Sequence, residues 1–311
     1  MKKKIFLVGP TASGKTEAAK IIFDNFPVEI ISVDSTQIYK GFNIGSAKLK
    51  SNELINYPHH LVNCKSPCDR YSVNEFKLDV ERISKKIYKK NKIPILVGGT
   101  MMYFNSLENP LNEMPESTTE ARKKINDDLN EYGLDEMYKK LSAIDPVIVE
   151  KIKGTDKQRI MRALEVHHIS GKPLSFYHIP KINPLTNYKL LKIALIPSDK
   201  ILLNNRIEAR VNDMLQNGFI EEVKLLLKNN PSLDLTYPAL RSVGYKQVYE
   251  YLIGIISIDK LTEKIVIATR QLAKRQMTWI RGMDDLLVVD PFEESFEIKI
   301  TNKVKLFLEE K

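Results

Sequence analysis

An eight-residue motif sets the architecture of this chain: Gly9-Pro10-Thr11-Ala12-Ser13-Gly14-Lys15-Thr16, which fits the phosphate-loop pattern G-x-x-x-x-G-K-[ST]. It follows the apolar run 5–8, which predicts a strand, and precedes the segment 17–23, which predicts a helix. The glycines let backbone amides curl around phosphate oxygens, and the helix N-terminus adds a positive dipole. All eight residues are therefore candidates for binding a phosphorylated substrate, with the Thr16 hydroxyl as a candidate ligand of Mg²⁺. The motif indicates phosphate binding without specifying ATP.

The segments around the motif predict an α/β fold. Continuous apolar runs at 28–33 and 93–97 predict further buried strands, and helical segments between them favour a parallel sheet covered on both faces. Residues 117–170 read as helix after helix, a strand returns at 192–196, and helices follow at 201–217, 221–228 and 261–280. We predict a parallel sheet flanked by helices, like that of P-loop NTPases, with an all-helical insertion. The expected boundaries are 1–115 and 184–311 for the core and 116–183 for the insertion.

The ends of the two further strands differ from those of a routine NTPase. An NTPase needs a metal-binding Asp at a strand end, but the 93–97 strand runs into Gly98-Gly99-Thr100. The 28–33 strand does end in an acid, Asp34. An Asp at a strand's carboxyl edge faces the ligand crevice of an open α/β sheet, where it can hold a metal or act as a general base. A capping or turn role for Asp34, and a helix N-cap for Thr100, are the structural alternatives.

Composition excludes several classes of protein. The 311 residues include 43% hydrophobic and 28% charged residues, which is typical of a globular protein rather than a disordered one. No run approaches the roughly 20 apolar residues of a membrane span. Two cysteines, Cys64 and Cys68, cannot build a disulfide scaffold or a zinc site, so we expect a cytoplasmic protein.

The net charge of +9 is concentrated in two regions. Residues 137–183 carry nine Lys or Arg against four acids, and residues 264–283 carry five against none. A long one-signed stretch is better explained by contacts with a polyanion than by a solvated helix face. Trp279, the only tryptophan, fits the core better than a stacking role by residue type alone.

Seven segments, in this order, resemble the bacterial tRNA dimethylallyltransferases, also called tRNA isopentenyl transferases. They are GPTASGKT (9–16), ISVDSTQIYKGFNIGSAK (31–48), YPHHL (57–61), ILVGGTMMYF (95–104), DKQRIMRALEVHHISGKPLS (156–175), RSVGYKQ (241–247) and ATRQLAKRQMTWIRG (268–282). The likeness extends over most of the chain and fades after about residue 283. It is specific because the phosphate loop occurs together with SVDS and KRQMTWIR.

The resemblance implies transfer of a dimethylallyl group from dimethylallyl diphosphate to the N6 amine of adenosine 37, in tRNAs that read codons beginning with U. The resemblance implies that the phosphate loop binds the diphosphate of the prenyl donor, with Mg²⁺. It also explains why the 93–97 strand lacks the metal-binding Asp of an NTPase, because no terminal phosphoryl group is transferred. Asp34 matches the catalytic base of the family, and Thr100 matches a hydroxyl that positions the reacting groups. Asn43 stands where the family usually has Asp, which questions a metal or substrate role at that position. The implied partners are the anticodon stem-loop of tRNA and the prenyl donor, and a monomer suffices.

The resemblance also assigns tRNA contacts to several segments of this chain. They are Asp34, Ser35, Thr36 and Gln37; Thr100; Arg122; Gln158, Arg159, Ile160, Met161 and Arg162; Arg241, Ser242, Val243, Gly244, Tyr245 and Lys246; and Lys274, Arg275, Gln276, Met277, Thr278, Trp279, Ile280 and Arg281.

Three pairs of side chains are interpreted from their spacing instead. Arg206 and Arg210, at i and i+4, share a helix face and could close over a diphosphate, although Glu208 nearby allows a solvated face. His59 and His60 are adjacent, so their side chains point apart and favour structural roles over metal binding; His167 and His168 are interpreted in the same way.

Three other functions compete with this interpretation. An adenylate isopentenyltransferase acting on free nucleotide would not need the insertion or KRQMTWIR. A P-loop nucleotide kinase is disfavoured by the missing acid and the basic segments. A non-catalytic RNA-binding protein is disfavoured because Lys15, Thr16, Asp34 and Thr100 are all present.

Overall fold

The computed structural model describes residues 2–109, 114–178 and 188–310. Six parallel strands form one sheet in the order β3-β2-β4-β1-β5-β6. Their bounds are β1 Lys2–Val8, β2 Val28–Val33, β3 His59–His60, β4 Ile93–Gly98, β5 Tyr188–Leu195 and β6 Leu286–Val289. The predicted parallel sheet is confirmed.

Helices cover both faces of the sheet. The helices outside the insertion are α1 Lys15–Asn25, α2 Ser51–Asn56, α3 Val73–Lys89, α4 Met101–Glu108, α8 Lys200–Gln216, α9 Phe219–Asn229, α10 Tyr245–Leu252, α11 Ile258–Ile280 and α12 Phe296–Glu309. Successive strand residues point to opposite faces: Ile5 and Leu7 join a buried cluster with α1 and α12, whereas the Phe6 ring meets Phe104 of α4 at 5.0 Å between centroids.

The parallel arrangement positions the site. In β1, β2 and β4 the register pairs Val8 with Gly98 and Val33 with Gly98, so these three strands end level with one another. The phosphate loop, Asp34 and the Gly99–Thr100 turn follow these ends directly. They therefore meet at the carboxyl edge of the sheet, where ligands bind in open α/β folds.

Several elements were absent from the sequence prediction. The edge strands β3 and β6 are two and four residues long, too short to show a periodic pattern. Helix α3 did have a signal, because Ser72 and Glu75 form a capping box at its start. Helix α12 follows the last segment of the family resemblance, so the quoted motifs offered no guide to it.

The chain forms two compact units, Met1–Asn105 with Leu185–Lys311, here the core unit, and Ser106–Pro184, here the helical unit. The predicted insertion, 116–183, lies within the helical unit, which also takes in the end of α4. Its helices are α5 Thr119–Ile144, α6 Pro146–Val149 and α7 Lys157–Ser170, followed by a 3₁₀ turn, Leu174–His178. Side chains such as Leu141, Ile160 and Leu164 give this unit a hydrophobic cluster of its own.

Local sequence explains how the helical unit is built. Thr118 caps α5 by accepting a hydrogen bond from Ala121 N. Gly133 interrupts α5 with a positive φ of 77°, a conformation that glycine adopts without strain. Among the described residues of the chain, none of the helices is long and apolar enough to cross a membrane.

Candidate active site

The phosphate loop wraps around its own lysine. Gly14, in the left-handed region with φ 82°, precedes the first turn of α1, and the Lys15 ammonium donates to the carbonyls of Gly9 at 2.9 Å and Pro10 at 2.6 Å. The pKa of Lys15 is lowered to about 7, mainly by burial and also by the charge of Arg210, while the charge of Asp34 opposes the shift. A diphosphate bound in the loop would place negative charge beside Lys15 and so stabilise its charged ammonium form.

Asp34 is held in a tight turn beyond β2. Its Oδ1 accepts hydrogen bonds from the backbone N–H groups of Thr36, at 2.8 Å, and Gln37, at 3.1 Å. The predicted turn role is therefore present, yet Asp34 also lines the cavity beside the phosphate loop. Both backbone bonds use Oδ1, which orients the carboxylate without engaging Oδ2 in the same turn.

Thr100 connects the ends of β4 and β2. Its Oγ1 accepts from Ser35 N at 3.0 Å and donates to Ser35 Oγ at 3.3 Å, while its own backbone N–H donates to Val33 O. Gly98 has to be glycine, because a Cβ there would overlap the carbonyl of Val33. The hydroxyl of Thr100 is thus tied to the residue that follows Asp34.

Helix α8 brings both predicted arginines to the loop. Arg206 Nε donates to the Ala12 carbonyl at 3.1 Å, and the Arg210 guanidinium donates to Ser46 O at 3.4 Å. Burial lowers the pKa of Arg210, with the charge of Asp34 acting in the opposite direction. Glu208 pairs instead with Arg270 at 3.1 Å. Both arginines line the cavity, with Arg206 exposed and Arg210 partly buried.

A cavity of about 400 Å³ joins these groups. Residues of the phosphate loop, of the Asp34 turn and of α8 line it, together with Gly99, Gly244 and Gln276. Its charged lining comprises Lys15, Glu17, Asp34, Arg206 and Arg210.

A loop at 43–46 closes one side of the cavity and depends on a residue that the sequence did not single out. The carboxylate of Glu222 accepts from the backbone N–H groups of Asn43, Ile44 and Gly45 and from the Tyr245 hydroxyl. The Asn43 side chain is exposed and is not part of the cavity lining. The loop contributes its backbone instead, since the Ser46 carbonyl accepts from both Arg210 and Gln37.

The KRQMTWIR segment of α11 divides into a buried side and an exposed side. Gln276 and Ile280 are buried, whereas Trp279 is 45% exposed. The core placement of Trp279 was wrong, because its position on the helix turns the ring outward. The predicted tRNA contact through Ile280 is corrected, because its side chain packs inside the core unit. Gln276 lines the cavity, and its tRNA contact stays a prediction. The remaining exposed candidates are Lys274, Arg275, Thr278 and Arg281, with Met277 partly buried.

The 241–246 segment divides similarly. Arg241 and Lys246 are exposed, and Gly244 adopts a positive φ of 89° against the Phe219 ring. Tyr245 is fully buried, and burial together with Glu222 raises its pKa well above the ordinary value. Its side chain is therefore a core element and not an RNA contact. Ser242 accepts a hydrogen bond from Thr36 Oγ1 at 3.0 Å, and Val243 lines the cavity.

The predicted tRNA residues of the helical unit have internal partners. Glu165, 6% exposed, lies 3.3 Å from Arg162 and 3.7 Å from Arg122, and it also accepts from Ser117. Arg159 pairs with Asp156 at 3.3 Å and stays exposed, as does Gln158, and Met161 is partly buried. Ile160 is completely buried, so its predicted tRNA contact through the side chain is corrected.

The histidines have structural partners. His59 Nδ1 lies 2.7 Å from Tyr57 O and His60 Nε2 2.9 Å from Glu29, and burial lowers the pKa of His59. His167 and His168 lie in the last turn of α7. Within the described part of the chain, no group of three or more His, Cys, Asp or Glu is placed to hold a metal ion.

The parallel six-stranded sheet carries the phosphate-loop sequence pattern after β1, an acid after β2 and a threonine after β4. These features define an α/β protein whose sheet resembles that of the P-loop class. A family model described as IPP transferase matches residues 37–283. The chain belongs to this IPP transferase family.

Curated relatives and solved structures agree with that assignment. The chain is 43% identical to the tRNA dimethylallyltransferase of Legionella pneumophila (strain Paris), covering 99% of this chain and 98% of the relative. It is 44% identical to the same enzyme of Methylobacillus flagellatus, covering 93% and 92%.

Among solved structures, the tRNA isopentenylpyrophosphate transferase of Bacillus halodurans matches with a TM-score of 0.71 and 30% identity, covering 99% of this chain and 97% of that one. A eukaryotic dimethylallyltransferase acting on tRNA matches with a TM-score of 0.79 and 27% identity, covering 98% and 78%.

Proposed function

We propose that this protein transfers the dimethylallyl group of dimethylallyl diphosphate to the N6 amine of adenosine 37, in tRNAs that read codons beginning with U. The observation that carries the proposal is the shared cavity of Lys15, Asp34 and Arg210 at adjoining strand ends. The cavity combines cations that can bind a diphosphate with a carboxylate that can accept a proton. The family assignment supports the same reaction.

The donor half of the cavity serves the leaving group. As the carbon–oxygen bond to diphosphate breaks, negative charge grows on the diphosphate oxygens. Lys15, the loop amides and the two α8 arginines stabilise that charge. Because no phosphoryl group is transferred, no acid is needed behind a terminal phosphate, which agrees with the Gly98-Gly99 end of β4.

The acceptor half serves the nucleophile. The amine nitrogen of adenine forms the new carbon–nitrogen bond and gives up one proton, which Asp34 accepts. Diphosphate leaves with the electron pair of the broken bond. The Thr100 hydroxyl, fixed beside Asp34 through Ser35, orients the reacting groups.

A magnesium ion fits the donor half chemically. Thr16, exposed in the first turn of α1, would contribute its hydroxyl, with diphosphate oxygens and water completing the octahedral shell that Mg²⁺ prefers. Bound there, Mg²⁺ would neutralise charge on the leaving group.

RNA binding would use exposed basic and aromatic groups. On α11 these are Lys274, Arg275 and Arg281, with the Trp279 ring available to stack on an unpaired base. Adenosine 37 lies in the anticodon loop, so it can be turned out without breaking a duplex. We propose the anticodon stem-loop as the partner, a monomer as the active species and the cytoplasm as its compartment.

One assay tests the proposal against its alternatives. Labelled dimethylallyl diphosphate and Mg²⁺ are offered with unmodified tRNA, AMP and ATP side by side. Label in tRNA is expected; label in AMP would favour an adenylate isopentenyltransferase, and phosphate transfer from ATP a kinase. No reaction, with tRNA binding intact, would favour a non-catalytic RNA-binding protein.

Asp34 has its own test. Asp34→Ala should lower the turnover rate by roughly 10²-fold or more, because the amine loses its base, while tRNA affinity persists. Turnover equal to that of the wild type would remove Asp34 from the mechanism.

A further inference from the structure

Gln276 of α11 bridges two segments that enter the cavity from different strands. Its Oε1 accepts from Thr11 N at 2.8 Å, and its Nε2 donates to Gly99 O at 2.9 Å. The side chain is 8% exposed. Gly99 is packed so closely against it that a Cβ at this position would overlap Nε2.

An amide satisfies both partners without a change of protonation state. The Thr11 N–H can only donate and the Gly99 carbonyl can only accept, so the bridging group has to present one acceptor and one donor. A carboxylate presents acceptors alone and would face the Gly99 carbonyl with a like partial charge. An apolar side chain would leave both backbone groups unpaired, which is costly in a buried place.

The two segments joined by Gln276 belong to the two halves of the cavity. Thr11 precedes Ala12, which adopts a positive φ of 64° and whose carbonyl binds Arg206 on the donor side. Gly99 precedes Thr100, which is hydrogen-bonded to Ser35 beside Asp34 on the acceptor side. The amide therefore joins a segment on the donor side of the cavity to a segment on the acceptor side.

We propose that Gln276 is a positioning residue that sets the phosphate loop against the Gly99–Thr100 turn, so that the prenyl carbon and the adenine amine meet. The inference rests on the function proposed above and assigns Gln276 no contact with tRNA. A displacement of about 1 Å between reacting groups can cost roughly 10²-fold in rate.

The test compares Gln276→Met and Gln276→Glu with the same substitutions at Gln271, an exposed residue of the same helix. Four quantities are measured: the Kd of inorganic diphosphate by calorimetry, kcat and KM for tRNA prenylation, and the melting temperature. Gln276→Met should raise the diphosphate Kd about 3- to 10-fold and lower kcat about 10- to 100-fold, with the KM for tRNA nearly unchanged. The Gln271 variants should match the wild type.

A pH profile separates positioning from a merely structural role. A protonated carboxyl group has one O–H donor and one carbonyl acceptor, as the amide does. The kcat of Gln276→Glu, divided by that of the wild type at the same pH, should therefore rise as the pH falls from 8 to 5.5, whereas the ratio for Gln276→Met stays flat. Taking the ratio cancels the pH dependence that the two enzymes share; the charged groups that line the same cavity are Lys15, Glu17, Asp34, Arg206 and Arg210.

Each outcome decides the inference. It is overturned if folded Gln276→Met keeps the diphosphate Kd and kcat within twofold of the wild type, or if the Gln276→Glu ratio does not change with pH. Gln276→Glu, which replaces a single group, supplies the answer if the Met variant fails to fold. If the wild type itself does not prenylate tRNA, the proposed function fails and the diphosphate Kd alone decides the role of Gln276.

Discussion

Glu222→Gln is the substitution whose cost can be worked most directly from this structure. One carboxylate oxygen accepts from Asn43 N and Ile44 N, and the other accepts from Gly45 N and the Tyr245 hydroxyl. Four donors therefore converge on one acceptor group. Glutamine keeps one oxygen but turns an NH₂ group toward the other two donors.

The expected loss is about 3 kcal/mol. A hydrogen bond to a charged acceptor contributes about 1.5–3 kcal/mol. The bond from Gly45 N is lost, because an NH₂ group cannot accept it; the Tyr245 hydroxyl can turn to accept from the NH₂ group, and the other two bonds become neutral. Because Glu222 is partly exposed, water can replace some of the lost hydrogen bonding, which keeps the total loss of stability near the lower end of the summed hydrogen-bond energies. For a unit of this size, about 3 kcal/mol corresponds to a fall in Tm of roughly 6–12 °C.

Differential scanning calorimetry measures the effect, with Glu221→Gln as the matched control. Glu221 is the exposed neighbour and forms a long ion pair with Lys224, at 3.9 Å, so its change should move Tm by less than about 1 °C. Because the loop carries the Ser46 carbonyl that binds Arg210, Glu222→Gln should also raise the KM for the prenyl donor. A Tm within about 2 °C of the wild type would refute this account of the loop.

Three further substitutions probe the loop, the sheet and the RNA surface. Because the pKa of Lys15 is about 7, its charge is present below that pH and lost above it. The diphosphate Kd of the wild type, measured by calorimetry and divided by that of Lys15→Arg, which stays charged, should therefore rise about 10-fold between pH 6 and pH 8. Gly98→Ala would force a methyl group onto the Val33 carbonyl and should lower the free energy of unfolding by about 3 kcal/mol or more. Gly282→Ala, whose methyl group would meet ordinary contacts, should leave the free energy of unfolding nearly unchanged. Lys274→Ala should reduce the salt dependence of tRNA binding by about one unit of slope, and an unchanged slope would remove this exposed lysine from the phosphate contacts.

Local sequence determined much of the fold of this protein. The glycine-rich motif between a strand and a helix, and the β-branched runs at 28–33 and 93–97, specify a parallel sheet, because continuous apolar strands are stable only when both faces are covered. The same runs placed Asp34 and Thr100 at strand ends. Parallel register then brings both to one edge of the sheet.

Tertiary structure alone decided which side chains face the cavity and which face the core. Gln276 and Trp279 are three residues apart in one basic segment, yet one is buried against the phosphate loop and the other is exposed, because helix α11 turns its two sides to different neighbours. Glu222 carries no motif, and its importance comes from backbone amides 177–179 positions away along the chain. Such contacts depend on how distant segments fold together, so composition and spacing cannot reveal them.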